Sequence, residues 1–181
     1  FGLCLLFVYL LLSAQYESYI LPFSVLLSIP FGLMGSFIFA DIFDIANSIY
    51  LQIALIMLIG LLAKNAILII EFALERRRTG MSIINAAISG ASARLRPILM
   101  TSLALIIGLL PMMFAHGAGA NGNRALGTGS VGGMLIGMIL QVIIVPALFV
   151  VFEIIQEKIS PIKWKDTDNT ALESEIEQYA H

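Results

Sequence analysis

Long apolar segments are the feature that most limits what this chain can fold into. Five of them follow one another between short polar breaks, at about residues 1–14, 20–40, 49–74, 96–115 and 130–155. A membrane-spanning helix needs roughly 20 mostly apolar residues, so four segments are long enough to span and the first is too short. The sequence therefore predicts an all-α membrane protein with five transmembrane helices, the first of them truncated.

The composition argues against the soluble classes of protein. Of the 181 residues, 59% are hydrophobic and 12% are charged, whereas soluble globular chains have about 45–50% apolar and about 25% charged residues. A soluble enzyme, a nucleic-acid-binding protein and a disordered chain are all disfavoured. Cys4 is the lone cysteine, and His116 and His181 lie far apart. These residues form no metal-ligand motif, so we predict neither a metal site nor a bound cofactor.

The positions of lysine and arginine predict how the segments cross the membrane. Five arginines lie between residues 75 and 96, and three lysines follow the fifth segment. The loop at 41–48 holds no lysine or arginine, and the loop at 116–129 holds one. Because basic residues in short loops stay in the cytoplasm, the arginine-rich connection and the C-terminus are predicted to be cytoplasmic.

Three further regions complete the predicted topology. Residues 81–93 repeat apolar side chains at helical spacing but are too few to span. They predict a short helix at the cytoplasmic interface, with a polar loop as the alternative. Residues 156–181 are polar and acidic and are predicted to form a cytoplasmic tail. The chain is apolar from Phe1 and lacks the basic start of a signal peptide, so we expect it to be the C-terminal piece of a longer protein.

Lys64 is the most informative residue, because a charge in the middle of a spanning helix costs at least about 2.5–3.5 kcal/mol. Arg76, at the predicted membrane edge, is roughly 18 Å away along the helix, too far for the lysine side chain to reach water. We therefore expect Lys64 to face the bundle interior and to meet a carboxylate or a wet cavity. An ion or proton path is the favoured interpretation, and an ion pair that fixes helix register is the alternative. No carboxylate of this chain lies in mid-span, so the acid is expected on the missing part.

Three more polar residues are candidates for the same path. Asn65 adjoins Lys64, and its favoured role is an interhelical hydrogen bond worth about 1 kcal/mol. Arg94 and Thr101 are seven residues apart and share a helix face if the helix continues through Pro97. Taken singly, Arg94 is a cytoplasmic anchor and Thr101 bonds the preceding backbone. Their spacing also permits a polar path inward from the cytoplasm together with Lys64.

A stripe of small residues marks the fifth segment. Gly129, Gly133 and Gly137 are spaced four residues apart, and glycine lets a neighbouring helix approach closely because it has no Cβ. The stripe therefore predicts a helix-packing surface.

Four stretches of the chain resemble one family, in the same order and at the same spacing. They are AQYESYILPFSVLLSIPFGLMG at residues 14–35, GLLAKNAILIIEFA at 60–73, RLRPILMTSLALIIGLLPM at 94–112 and GTGSVGGM at 127–134. Together they resemble the C-terminal transmembrane half-bundle of the resistance-nodulation-division (RND) efflux pumps of the acriflavine-resistance type.

The resemblance implies a particular architecture and activity. Pumps of this family have twelve transmembrane helices in two similar halves and two large periplasmic insertions. They are homotrimers in the inner membrane of Gram-negative bacteria, and they join a periplasmic adaptor and an outer-membrane channel. They export drugs, dyes, detergents and other amphiphiles in exchange for protons, with no cofactor beyond the proton gradient. The five segments of this chain would be helices eight to twelve.

The resemblance also assigns roles to residues. In the family, the lysine at the position of Lys64 pairs with two aspartates of the fourth helix, which are absent from this chain and would lie in its missing N-terminal half. The residues at Arg94 and Thr101 belong to the same proton relay. Without the aspartates and the periplasmic parts, these 181 residues alone are predicted to transport nothing.

Other functions stay open at this point. The chain could belong to an auxiliary subunit for protein translocation, to a lipid or sterol exporter of the wider superfamily, or to a structural membrane fragment. An enzyme is not expected, because the sequence has no Ser/His or HExxH constellation and neither histidine lies within a span.

Overall fold

The computed structural model describes residues 1–16, 19–80 and 82–159, and the regular structure in these ranges is entirely helical. The five helices are α1 (Gly2–Tyr16), α2 (Leu21–Ile42), α3 (Ile49–Arg78), α4 (Ile83–Met113) and α5 (Ala120–Ile159). Helices α2 to α5 are long and apolar enough to cross a membrane, and α1 is a shorter apolar helix. The predicted all-α class, with five helices and a short first one, is therefore confirmed.

Local sequence signals explain where α3 and α4 begin and where α3 ends. The Ser48 hydroxyl accepts a hydrogen bond from the backbone N–H of Leu51 at 3.4 Å, and Ser82 does the same for Asn85 at 3.4 Å. Each serine caps a helix start, where backbone N–H groups lack partners. Arginines 76–78 occupy the last turn of α3, where their charge complements the helix dipole. The end of the bundle where α3 ends and α4 begins is called the arginine end below.

The short interfacial helix predicted at 81–93 is not separate from the fourth span. Residues 83–113 form one helix that continues through Pro97, and Met81 lies outside the described residues. A proline removes its own backbone N–H, and membrane helices accommodate it where serine or threonine hydroxyls bond nearby carbonyls. The carbonyl that Pro97 leaves without a helix partner is that of Ala93, and the Thr101 hydroxyl donates to other carbonyl oxygens, that of Pro97 at 3.0 Å and that of Ile98 at 3.1 Å. The structure thus replaces two predicted helices with one.

Helix α5 is longer than the predicted segment 130–155 and takes up most of the glycine-rich stretch before it. Gly122 and Gly127 are buried in helix contacts, and this packing offsets the low helix propensity of glycine. The turn between α4 and α5 is therefore shorter than predicted. It contains Gly117 and Gly119, whose left-handed φ angles of 103° and 82° favour glycine. The first residues of the predicted tail are helical up to Ile159, and residues 160–181 lie outside the described part of the chain.

Helix α5 forms the centre of the bundle and packs against α2, α3 and α4. The glycine stripe predicted on this helix, Gly129, Gly133 and Gly137, is buried. A Cβ built on these glycines would meet, in order, the side chains of Leu51, Leu58 and Leu62 on α3. The stripe therefore lets α3 lie close to α5, and this contact determines which face of α3 is buried.

Candidate functional site

Helix α3 has one face packed into the bundle and one open face. The packed face contains Leu51, Ala54, Leu55, Leu58, Ile59, Leu62, Asn65, Ala66, Ile69, Ile70, Ala73 and Arg77, which are all buried. The open face contains Ile53, Met57, Gly60, Lys64, Glu71, Glu75 and Arg78, which are all exposed in this chain. Spacings of three, four and seven residues place each set along one side of the helix.

Lys64 lies on the open face and lines a cleft between α1 and α3. The cleft has a volume of about 770 Å³ and is lined mostly by apolar side chains, with Gln15 and Glu71 as its other polar residues. Among residues 1–16, 19–80 and 82–159, no carboxylate oxygen lies within 4.0 Å of the Lys64 ammonium. An unpaired ammonium ion in the middle of a membrane span is costly, so a carboxylate that fills the cleft would stabilise it.

The expectation that Lys64 faces the bundle interior does not hold for the bundle that this chain forms. The interior side of α3 is occupied by leucines that fit the glycine stripe of α5, with Leu58 against Gly133 and Leu62 against Gly137. Lys64 lies two residues after Leu62, and two residues on a helix turn through about 200°. The lysine is therefore directed away from α5.

A smaller cavity continues from the cleft towards the arginine end. It has a volume of about 340 Å³ and is lined by Gln15, Glu71, Leu74, Glu75 and Arg78. Gln15 and Glu71 line both cavities. Polar side chains therefore extend along the open face from the neighbourhood of Lys64 to the end of α3.

Asn65, the neighbour of Lys64, is part of the packed face. Its side chain is 5% exposed, and its amide Nδ2 donates a hydrogen bond to Ser102 Oγ on α4 at 3.4 Å. This contact links two helices at mid-span, which is the interhelical role that the sequence favoured for Asn65 taken alone.

Arg94 and Thr101 lie on one continuous helix, seven residues apart, and so on the same side of α4. The Thr101 hydroxyl bonds its own helix, at 3.0 Å from the oxygen of Pro97 and 3.1 Å from that of Ile98. Arg94 is half-buried, and its guanidinium carbon lies 5.1 Å from the centre of the Phe72 ring on α3. In the described part of the chain, no hydrogen bond or ion pair joins either residue to Lys64.

An ion pair joins α3 to α5 at the arginine end, and sequence reasoning did not find it. Nε and Nη2 of Arg77 donate to Glu157 Oε1 at 2.9 and 2.6 Å. One turn earlier on α5, Glu153 is fully buried, and neither of its carboxyl oxygens has a hydrogen-bond partner. The sequence shows two glutamates four residues apart at the end of an apolar segment. It does not show that one of them pairs with Arg77, which lies 80 residues earlier in the chain.

Gln141 joins three helices and was also missed. Its Nε2 donates to the backbone oxygen of Leu62 on α3 at 2.9 Å and lies 3.5 Å from Ser28 Oγ on α2. The sequence could have predicted this role, because Gln141 is a single amide within an apolar segment. Polar side chains inside membrane spans usually bond across helices.

Acidic, histidine and cysteine side chains do not gather into a metal site in the described ranges, where no group of three lies close enough. The chemistry of the candidate site is therefore that of charged and amide side chains. One lysine, one arginine and two glutamates lie on the open face of α3.

Fold and site together define a polytopic α-helical membrane protein with a lysine in the middle of one apolar helix. Residues 1–153 match the model of the AcrB/AcrD/AcrF family. The chain belongs to this family of RND multidrug efflux transporters.

Individual relatives agree with the family match. The chain is 47% identical over 154 residues to the multidrug resistance protein MdtF of Escherichia coli, covering 84% of this chain and 15% of the relative. It is 47% identical over 150 residues to the toluene efflux pump membrane transporter TtgB of Pseudomonas putida, covering 83% of this chain and 14% of the relative. It is 46% identical over 152 residues to the solvent-resistant pump membrane transporter SrpB, also of Pseudomonas putida, covering 83% of this chain and 14% of the relative. The chain thus spans about one seventh of the length of these transporters.

Proposed function

We propose that this chain is the C-terminal transmembrane part of a proton-driven efflux transporter that exports drugs, dyes, detergents, solvents or similar amphiphiles. The proposal is supported by the family match and by the names of the relatives, which are multidrug, toluene and solvent pumps. The observation that carries it is the position of Lys64 in an open, mostly apolar cleft without an acid from the described part of this chain.

The cleft is suited to a helix that carries carboxylates. Lys64 costs at least about 2.5–3.5 kcal/mol in mid-span when it is unpaired. Breaking a buried ion pair by removing one partner is similarly unfavourable. We infer that a pair of aspartates from the N-terminal half of the same protein faces Lys64 across this cleft. The open face of α3 then becomes the contact between the two halves.

Proton transfer in this arrangement would act through the charge on the acids. A lysine between two carboxylates holds the helices together by Coulomb attraction. Protonation of the carboxylates weakens that attraction and changes which helix arrangement is favoured. By linkage, movement of the helices changes the affinity of the carboxylates for protons. Arg94 and Thr101 on α4 adjust the charge and the hydrogen bonding along this path.

The same proposal includes the surroundings of the protein. The pump is a homotrimer in the inner membrane of a Gram-negative bacterium and works with a periplasmic adaptor and an outer-membrane channel. The arginine end and the C-terminus lie in the cytoplasm, because arginines 76–78 and Lys158 gather at that end of the bundle. The protein is a transporter and not an enzyme.

Reconstitution tests the proposal. The whole protein is purified into liposomes, a proton gradient is imposed, and the fluorescence of an internal pH dye is followed with and without an exported dye. Proton flux that depends on the exported dye is expected, whereas the 181-residue chain alone gives none. Export by the whole protein that continues after the gradient is collapsed would contradict proton antiport.

A further inference from the structure

We propose that Phe72 is a positioning residue that holds the guanidinium of Arg94 through a cation–π contact; this inference rests on the proposed function. The guanidinium carbon of Arg94 lies 5.1 Å from the centre of the Phe72 ring. This is within the distance at which a ring face attracts a cation, and the attraction grows when the pair is removed from water.

Phe72 is the one group seen to hold Arg94 in the described part of the chain. The Nε of Arg94 is buried without a hydrogen-bond acceptor, and no described carboxylate lies within 4.0 Å of its guanidinium. An arginine held by a carboxylate would have its position set by that acid. For Arg94, the ring supplies the attraction instead.

The ring sits on a firm contact between α3 and α4. Asn65 bonds Ser102 on one side of it. On the other side the helices approach so closely that a Cβ on Gly90 would lie 2.8 Å from the Cβ of Ala73. Phe72 lies seven residues after Asn65 and so on the same side of α3, facing α4. These contacts fix the distance between the ring and the backbone of α4.

Phe72 adjoins the open face of α3 in sequence, although it lines neither of the two cavities. It directly follows Glu71, which lines both the Lys64 cleft and the smaller cavity at the arginine end. One residue turns a helix through about 100°, so the ring faces α4 and holds the guanidinium of Arg94 between α3 and α4. Phe72 therefore sets the position from which the positive charge of Arg94 acts on the proposed relay.

A second cation approaches the same ring. The guanidinium carbon of Arg76, one turn further along α3, is 5.0 Å from its centre. Two cations near one ring repel each other, and the ring attracts both of them. Leucine at position 72 would keep an apolar side chain but remove this attraction.

The test compares Phe72→Leu with Phe72→Tyr in the whole pump, with dye efflux measured across a range of external pH. Phe72→Leu is expected to lower efflux about fivefold, since a contact of this kind contributes about 1 kcal/mol. It is also expected to shift the pH midpoint of efflux, because Arg94 no longer acts on the relay from a fixed position. Phe72→Tyr keeps an aromatic ring face, so it is expected to retain both the wild-type efflux rate and the wild-type pH midpoint.

Phe152→Leu is the matched control, because Phe152 is half-buried near the arginine end and lies over no described cation. It is expected to leave the rate and the pH midpoint unchanged. Trimer amount is checked by blotting, and Phe72→Met replaces Phe72→Leu if the leucine variant fails to accumulate. The proposal is overturned if the ring-free variant matches wild type, if the tyrosine variant is equally impaired, or if only the rate falls and the midpoint stays.

Lys64→Ala separates this inference from the proposed function. If Lys64→Ala abolishes efflux and Phe72→Leu has no effect, the positioning role of Phe72 is wrong and the relay stands. If efflux survives Lys64→Ala, the relay itself fails, and the role of Phe72 fails with it.

Discussion

Lys64 and Asn65 are neighbours in sequence, but Lys64 lies on the open face of α3 and Asn65 on its packed face. Asn65 is buried and bonded to Ser102, whereas Lys64 is exposed in a cleft and has no acid partner among the described residues. The packed face satisfies its polar groups within this chain, and the open face leaves a charge unsatisfied. The difference indicates that the packed face stabilises the bundle and that the open face serves contact with the rest of the protein.

The two faces are also built differently. The packed face depends on shape, because leucines of α3 fill the space that the glycines of α5 leave free. The open face depends on charge, because Lys64, Glu71, Glu75 and Arg78 follow one another along it. Substitutions on the packed face should therefore change stability, and loss of the Lys64 charge from the open face should change transport.

The largest stability effect is expected for Gly133→Val. A Cβ at position 133 would meet the side chain of Leu58, and overpacking of this kind costs about 1–3 kcal/mol or more. Gly108→Val is the matched control, since a Cβ there has no neighbouring atom within 4 Å. Thermal unfolding of the detergent-solubilised protein measures both. Equal midpoints for the two variants would mean that shape does not hold the packed face together.

A smaller loss is expected when the ion pair between α3 and α5 is broken. Arg77→Ala leaves Glu157 without its partner, and the two side chains are 7% and 24% exposed. We expect a loss of about 2 kcal/mol, between the values for surface and fully buried pairs. Arg78→Ala removes the adjacent, exposed arginine and should cost little. Chemical denaturation of both variants provides the comparison, and a larger loss for Arg78→Ala would reverse the assignment of the two faces.

The smallest effect is expected for Asn65→Leu. It removes the hydrogen bond to Ser102, and interhelical bonds of this kind contribute about 0.6 kcal/mol on average. Transport should persist, because Asn65 belongs to the packed face and not to the cleft. Unfolding and dye efflux are measured on the same preparation. Loss of efflux with unchanged stability would move Asn65 from the structural group to the relay.

Much of the fold could be predicted from the sequence, because apolar segments of membrane length permit few alternatives. The misjudged boundaries lie where local signals compete with packing. Pro97 and the glycines around residue 122 are helix breakers by propensity, yet α4 and α5 continue through them, and both helices pack against their neighbours in the bundle.

The candidate site was less predictable. The cost of a mid-span charge identified Lys64, but only the packing of Leu58 and Leu62 against α5 reveals which way the lysine points. Gln141 could have been found as a polar residue within an apolar segment. Phe72 and the Arg77–Glu157 pair could not, because their partners come from other helices and depend on how those helices are arranged.

The most direct measurement compares Lys64→Ala with Met57→Ala in the full-length pump, in cells that lack other efflux systems. Both residues are exposed on the open face of α3, and only Lys64 carries a charge. Dye efflux is recorded together with protein level, trimer content and thermal unfolding. The proposed relay predicts that Lys64→Ala abolishes efflux while the trimer and its stability persist, and that Met57→Ala transports normally. Normal efflux by Lys64→Ala would contradict the claim that the open face carries the proton-coupling charge.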